Sequence, residues 1–382
     1  MSKFIYLFNL LFKIILIPVY FILIAISPLV HVVFIQISTE KFGHFIEDTF
    51  LQHITVKKYF KFKGFFNIKI LYGKRYVSNK ELLNLWRQIY FFTNKFWFLE
   101  NLRKVFKYFD REEEFFLTAR HNAPYTYILK NEKVPYKFPK KFNKAGEDLL
   151  EKLEIPKKSN WICVASRSNT FDIQELKKTN KDGITIEKYI SNNQFRNFNL
   201  NKIEVAINKF LEKDYFVIDM SYENESSIKI KNKKFINFYR NKYSTELGDI
   251  YLLTMSKMYF GADSGVNNFH RILNKPQVVM STAELTSYLL GWFFNKSLLV
   301  PKLIYSKQDK IFTLNDMKKN DLYYKPPNFK LNFSKLKYRE NTQDEIENAA
   351  IEILYFLENG HFKLDSEDQE NIKKLRMFIK SM

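Results

Sequence analysis

A chain of 382 residues that is 46% hydrophobic is long enough for two or three domains with sizeable cores, and ten glycines and ten prolines leave little room for long disordered linkers. The net charge of +20 suits an anionic membrane face or a phosphate-bearing substrate, while no helix-turn-helix, zinc-finger or RNA-binding signature points to nucleic acid. The single cysteine, Cys163, excludes an intrachain disulfide, and no Cys/His spacing fits zinc.

Residues 4–27 form an apolar segment whose only charge is Lys13. Its length is borderline for a membrane-spanning helix, and no small-residue cleavage site follows it. The expectation is an N-terminal anchor over residues 1–28 that spans the membrane or lies in its interface, with a soluble core helix as the alternative. Lysines are denser after the segment than before it, which places the bulk of the chain on the cytoplasmic face of a membrane. Residues 1–150 carry 24 lysines and arginines against 12 aspartates and glutamates, so the basicity is concentrated next to this segment.

Residues 29–37 are β-branched and read as a buried strand that runs into a loop containing Gly43-His44 and then a helix near 45–51. A short strand is expected at 68–72, helices at 79–93 and 96–109, and a charged, Pro-punctuated stretch from 111 to 158 with one helix near 145–153. A domain boundary is expected near residue 155. Beyond it the pattern alternates: strand 161–166 with Cys163 buried in it, helix 201–211, strands 215–220 and 234–239, helix 248–257, strand 258–261, helix 266–273, strand 277–280 and a final helix 345–358. Strands alternating with helices argue for a parallel, doubly wound sheet. Thr342 and Glu345 have capping-box spacing.

The most informative stretch is 258–284, where an apolar run ends in Gly261-Ala262-Asp263-Ser264-Gly265. A small-residue turn between strand and helix is a common pyrophosphate cradle, because helix N-termini present N–H groups and partial positive charge. The alternative is that Ser264 only caps the helix.

With these residues in place, the chain resembles bacterial surface-polysaccharide glycosyltransferases of the two-Rossmann-domain GT-B fold. The resemblance rests on Gly43-His44, Arg167, Arg196-Asn197, Ser264-Gly265 and Glu340-Asn341-Thr342, in that order, and covers about residues 30 to 357. More distantly, the Asp-Ser-Gly turn is similar to the donor-phosphate turn of heptosyltransferases, with Asn268 where those have His. Arg167 is similar to the Arg of a fucosyltransferase-like motif, with Ala165 in the His position and Ser168 where Asp is usual. Asp219-Met220-Ser221 likewise stands where Arg-Met-Gly is more frequent.

The resemblance implies an α/β chain of two Rossmann-like domains flanking a central cleft. An acceptor-side domain would occupy 29–155, a nucleotide-sugar domain 156–340, and C-terminal helices packing back on both would occupy 341–382. It implies metal-independent sugar transfer from a nucleotide sugar to a lipid-linked or growing glycan at the cytoplasmic face of the bacterial inner membrane, or an inactive relative that binds glycan or nucleotide. Ser264, Gly265 and Arg167 would hold the leaving diphosphate. Arg196-Asn197 would hold the donor or cap a helix, and Asp263 would bond sugar or ribose hydroxyls or brace the turn. His44 is the candidate base, with Glu47 and Asp48 one turn on as substitutes or as groups that orient the imidazole. His270 reads as a packing or surface residue.

Overall fold

The β-branched and aromatic runs of the sequence become the strands of two parallel sheets. The computed structural model describes residues 2–58, 60–74, 76–118, 132–168, 173, 197–222, 228, 230–281, 296–305, 309–319 and 337–380. Of these, one unit holds the residues up to 118 and 134–138, and the other holds 132–133 and the residues from 139 onward.

In the first unit, β1 (Val30–Gln36) pairs in parallel with β2 (Phe66–Tyr72) and with β3 (Phe91–Thr93) beyond it, and on its other side with β4 (Phe116–Leu117). The order is therefore β3-β2-β1-β4. Val32 and Phe34 of β1 meet Leu99, Leu102, Val105 and Phe106 of helix Phe96–Tyr108 in one core, to which the N-terminal helix Ser2–Ile26 adds Leu16 and Tyr20. His31 ties the segment before β2 to this sheet. Its Nδ1 accepts from the Lys63 N–H at 3.0 Å and its Nε2 donates to the Glu114 carbonyl at 2.9 Å, and burial holds its pKa below the ordinary histidine value.

Among the described residues no helix is long and apolar enough to cross a membrane. The expected spanning anchor therefore finds no support, and the segment is instead a helix with one face packed into the first unit. The expected helix 79–93 is also corrected. It is a seven-residue helix, Lys80–Trp86, capped by the Asn79 side chain accepting from Leu82 N–H at 2.8 Å, followed by β3. Phe91, Phe92 and Thr93 pair with Ile70–Tyr72 at the sheet edge, where aromatic and β-branched side chains are favoured.

In the second unit, β5 (Trp161–Ala165), β6 (Phe216–Asp219), β7 (Phe235–Asn237), β8 (Met258–Ala262), β9 (Gln277–Met280) and β10 (Ser297–Val300) form a parallel sheet of order β10-β9-β8-β5-β6-β7. The chain adds β6 and β7 on one side of β5, then returns to add β8, β9 and β10 on the other. The reversal point, where open α/β sheets bind ligands, therefore lies between β5 and β8. A short antiparallel pair, β11 (Leu303–Tyr305) with β12 (Lys337–Arg339), follows. Helix Glu204–Glu212 and helix Gln343–Asn359 cover one face through Ala206, Ile207, Phe210, Ile346, Ala350 and Ile353. The latter begins with the expected capping box: Thr342 Oγ1 accepts from Glu345 N–H at 3.2 Å and Glu345 Oε2 accepts from Thr342 N–H at 2.9 Å.

The contact division falls at residue 139 because helix Lys140–Lys152 belongs with the second unit, where Gly146 lies flat against the Tyr251 ring. Cys163 is buried as expected, donates to the Leu252 carbonyl at 3.4 Å, and has its thiol pKa pushed up to about 12 by burial.

Gly261 of β8 packs so closely on β5 that a β-carbon there would stand 2.2 Å from the Ala165 carbonyl oxygen. Both groups are backbone, so Gly261→Ala should force β5 and β8 apart and destabilise the protein by about 1–3 kcal/mol or more. The expected fall in melting temperature is roughly 2–4 °C per kcal/mol. A variant that melts like the parent would show that the close approach is not rigid.

Candidate functional site

Two constellations carry the sequence-predicted residues, one in each unit. In the first unit, Thr39 is buried and donates to the Tyr76 carbonyl at 2.8 Å, while the Ser78 N–H returns to the Thr39 carbonyl at 2.8 Å. This lacing holds the turn between β1 and helix Phe42–Lys58 against the segment that follows β2. The Lys74 ammonium reinforces it by pairing with Glu40 at 2.5 Å. The result is a pocket of about 340 Å³ at the C-terminal ends of β1 and β2, lined by Gln36, Ser38, Glu40, Lys41, His44 and Lys74 among others.

His44 sits in the first turn of its helix, which begins three residues earlier than expected. That places Asp48 one turn on, on the same face, with Asp48 Oδ2 at 3.3 Å from His44 Nδ1. Asp48 is buried and His44 is about one-third exposed, so a carboxylate orients an imidazole that faces the pocket. A carboxylate at Nδ1 favours the proton on that nitrogen and makes Nε2 the basic one. Glu47, the other predicted carboxylate, is buried.

In the second unit the reversal point is flanked by Arg167, just beyond β5, and by Asp263-Ser264-Gly265, just beyond β8. Arg167 is held by a two-way backbone bridge to Phe198 (3.1 and 2.8 Å) and donates from Nη1 to the Asp263 carbonyl at 3.5 Å. Asp263, Ser264 and Gly265 are all half-buried. Ser264 is in extended conformation and makes no side-chain cap bond; its hydroxyl lies 3.4 Å from the Tyr259 hydroxyl. Ser264 thus stands at the cap position of the turn, where its carbonyl accepts from the Asn267 N–H at 3.3 Å and its side chain makes no cap bond. The expected helix 266–273 is one 3₁₀ turn, Gly265–Asn267, followed by the five-residue helix Asn268–Ile272, so few N–H groups are presented.

The charge at this turn comes instead from a residue that the sequence reading missed. Arg271 is buried, and its Nη2 lies 4.0 Å from Asp263 Oδ1. Two guanidinium groups thus converge on Asp263, one at its carbonyl and one at its carboxylate. The spacing from Asp263 to Arg271 is the only sequence signal for this. His270 is buried, as one of its two expected readings has it. Its Nε2 lies 2.7 Å from Ser256 Oγ, and burial together with Lys275 lowers its pKa well below the ordinary value.

Asn197 and the Glu340-Asn341-Thr342 motif belong to a polar brace at the ends of β9 and β10. The buried Lys302 donates from Nζ to Glu340 Oε1 at 2.6 Å and to the Asn197 carbonyl at 2.9 Å. Burial lowers the pKa of Lys302, and the Glu340 hydrogen bond opposes that. Asn341 Oδ1 accepts from the Ser281 N–H and hydroxyl, each at 3.0 Å, and its Nδ2 donates to the Pro301 carbonyl at 2.9 Å. Ser281 has φ 56°, a left-handed conformation that these bonds hold in place. Arg196 lies outside the described residues. Among the described residues no group of three or more His, Cys, Asp or Glu side chains gathers where a metal could sit.

No family model matches the sequence, and no curated protein matches it significantly. Solved structures do resemble it. The Escherichia coli ADP-heptose LPS heptosyltransferase II aligns at 11% identity and a TM-score of 0.43, over 72% of this chain and 93% of that one. A glycosyl transferase family 9 protein from Veillonella parvula aligns at 8% identity and 0.45, over 84% and 96%. The E. coli heptosyltransferase WaaC with ADP-2-deoxy-2-fluoro heptose aligns at 10% identity and 0.33, over 76% and 99%. At such scores these are likenesses only.

Asp219, at the end of β6, supplies a pH dependence. It is buried, accepting from the Ser221 N–H (2.9 Å) and Asn237 Nδ2 (2.8 Å), and burial pushes its pKa up to about 6 from an ordinary value near 3.8. Between these two values the folded state binds more protons at Asp219 than the unfolded state, so this group's contribution to stability falls as pH rises from about 4 to about 6; Asp249, pushed by burial up to about 7, extends a fall of the same sign. Melting curves across that window should show the stability of the parent relative to Asp219→Asn falling as pH rises from about 4 to about 6 and constant above it, whatever the variant's baseline stability. An unchanged slope in the variant would assign the effect to another group.

Proposed function

We propose that the protein is a glycosyltransferase that moves a sugar from a nucleotide-sugar donor to a lipid-linked or growing cell-surface glycan. The observation that carries this reading is the contact of Arg167 with the Asp263 turn across the point where the second sheet reverses its strand order. A guanidinium there offers a bidentate fork to a diphosphate and stays charged. Arg271 sets the charge of the turn, Ser264 offers a hydroxyl, and Gly265 offers a backbone with no side chain in the way. Asp263 is suited to ribose or sugar hydroxyls, and Asn197 and Arg196 complete the donor set.

We assign the steps to these groups by the chemistry of each side chain. The acceptor hydroxyl attacks the anomeric carbon of the donor and gives its proton to Nε2 of His44, whose imidazolium Asp48 stabilises. The bond from the anomeric carbon to the diphosphate oxygen breaks, its electron pair goes to the phosphate, and Arg167 meets the charge that develops. Glu47 is the substitute base if His44 is not the group. The scheme uses no metal and no cofactor beyond the donor. We assign the reaction to the cytoplasmic face of the bacterial inner membrane, where soluble nucleotide sugars and lipid-linked acceptors are both within reach. A second reading, a non-catalytic relative, is favoured by Ala165, a fully buried apolar residue in the position where related motifs carry a histidine.

A thermal-shift panel of nucleoside diphosphates, followed by a donor-transfer panel, tests both readings. A diphosphate at about 100 times its Kd should stabilise the protein by about 2.7 kcal/mol. Arg167→Ala should abolish that shift without unfolding the protein. His44→Ala should keep the shift and lower turnover by about 10²–10⁴-fold, and Asp48→Asn should lower it less. A shift without turnover for any donor favours the non-catalytic reading. No shift and no turnover would sink both.

A further inference from the structure

We infer that the N-terminal helix docks the protein flat on an anionic lipid bilayer. From Leu10 to Leu29 no exposed position carries a polar or charged side chain. The exposed residues, Leu11, Ile14, Ile15, Ile22 and Ile26 among them, recur at helical spacing and so form one stripe, about 24 Å long from Leu11 to Ile26 at 1.5 Å per residue. Ile15 is 67% exposed. The opposite face of the same helix is committed to the first unit. Leu16 and Tyr20 are buried there, Tyr20 stacks on Phe109 with ring centroids 4.5 Å apart, and Phe12 meets Trp97 at 4.3 Å. A helix with one face bound to protein and the other wholly apolar is built to lie in an interface, since spanning would strip the first face.

The two ends of the stripe carry the residues that favour an anionic headgroup region. At one end, the N–H groups of Phe65 and Phe66 donate to the carbonyls of Pro28 and Leu29 at 3.2 and 2.8 Å. Both rings therefore stand beside the end of the stripe, and Phe65 is 79% exposed. Lys61, a few residues before them, is exposed as well. At the other end Trp97 is exposed against Phe12, and Lys95 precedes it, also exposed. Aromatic rings with lysines at both ends of an apolar stripe fit the boundary between acyl chains and anionic headgroups. A second copy of the chain is disfavoured as the occupant, because each copy carries a net charge of +20 and the first 150 residues hold twice as many basic as acidic groups.

The inference stands apart from the transferase reading, because its readout is binding to lipid and not sugar transfer. The full chain is co-sedimented with vesicles of phosphatidylcholine alone and with vesicles containing roughly one-third phosphatidylserine. Binding to the anionic vesicles is expected, weakened on the order of tenfold or more by raised salt or by omission of phosphatidylserine. The double variant Ile15→Glu with Ile22→Glu changes only exposed positions, so its melting temperature should match the parent while its vesicle binding falls on the order of tenfold or more. Parent that binds neither vesicle, or a folded double variant that binds as the parent does, would overturn the proposal. So would a discrete dimer of the parent in solution that the double variant disperses, since that would make a second copy the occupant.

Discussion

The absence of a side chain at Gly261 is the constraint on which the second unit depends. The Ala165 carbonyl occupies the place where a β-carbon would be, so β8 can lie against β5 only with glycine at this position. That contact is also where the order of the sheet reverses, and it fixes what the two strands deliver at their ends. Arg167 leaves β5 and the Asp263 turn leaves β8 two residues beyond Gly261. Their meeting at 3.5 Å follows from a backbone approach made upstream of both. The parallel ladder on either side, Ile162 to Ala165 against Met258 to Gly261, is fully buried and leaves the pair little freedom to slide.

A second constraint is electrostatic. The unit buries cations near its strand ends, Arg271 and Lys302, and each has a carboxylate within reach, Asp263 and Glu340. Removing a cation from water is costly unless a partner and further hydrogen bonds compensate. Lys302 has both, in Glu340 and the Asn197 carbonyl. Asn341 adds three bonds that pin the left-handed Ser281 and the chain after β10. The same segment runs directly into the capping box of helix Gln343–Asn359, whose apolar face belongs to the core. A strand end, a buried ion pair and a helix start are thus joined in about five residues. An arrangement of this kind keeps charged groups oriented before a ligand arrives, which is the property that electrostatic catalysis and tight anion binding both require.

Much of this was legible in the sequence, and what escaped did so for identifiable reasons. β9 was readable because Gln277–Met280 is a β-branched run following Lys275-Pro276, and Arg167 and Asp263 because each stands where an apolar run stops. β3 was hidden because Leu82, Leu83, Leu85 and Trp86 give a helical pattern whose apolar residues continue into Phe91 and Phe92. Only pairing with β2 reveals the strand. β4 is two residues long, too short for any period to register. Arg271 escaped because a cation in the middle of a short amphipathic segment reads as a solvated side chain, whereas it is buried against a carboxylate eight residues earlier. The pairing of His44 with Asp48 depended on where the helix begins, and helix starts are the least certain part of a sequence reading.

The N-terminal segment shows how a periodicity argument fails when both sides of a helix are apolar. A helix that is hydrophobic all round is either a membrane span or buried in a protein core, and sequence cannot choose between them. Here neither alternative describes the whole circumference. The interior of the first unit takes Leu16 and Tyr20, and the side bearing Ile15 and Ile22 is left uncovered. Helix amphipathicity is usually a contrast between apolar and polar residues. In this helix the contrast is between two apolar environments, one supplied by the protein and one that must come from outside it. The sequence carries the demand for both, but only the packing of Tyr20 on Phe106 and Phe109 shows which residues meet which. Because the protein-facing side is fixed by aromatic contacts, the outward side is fixed as well, and the stripe is presented as a rigid surface of the folded unit.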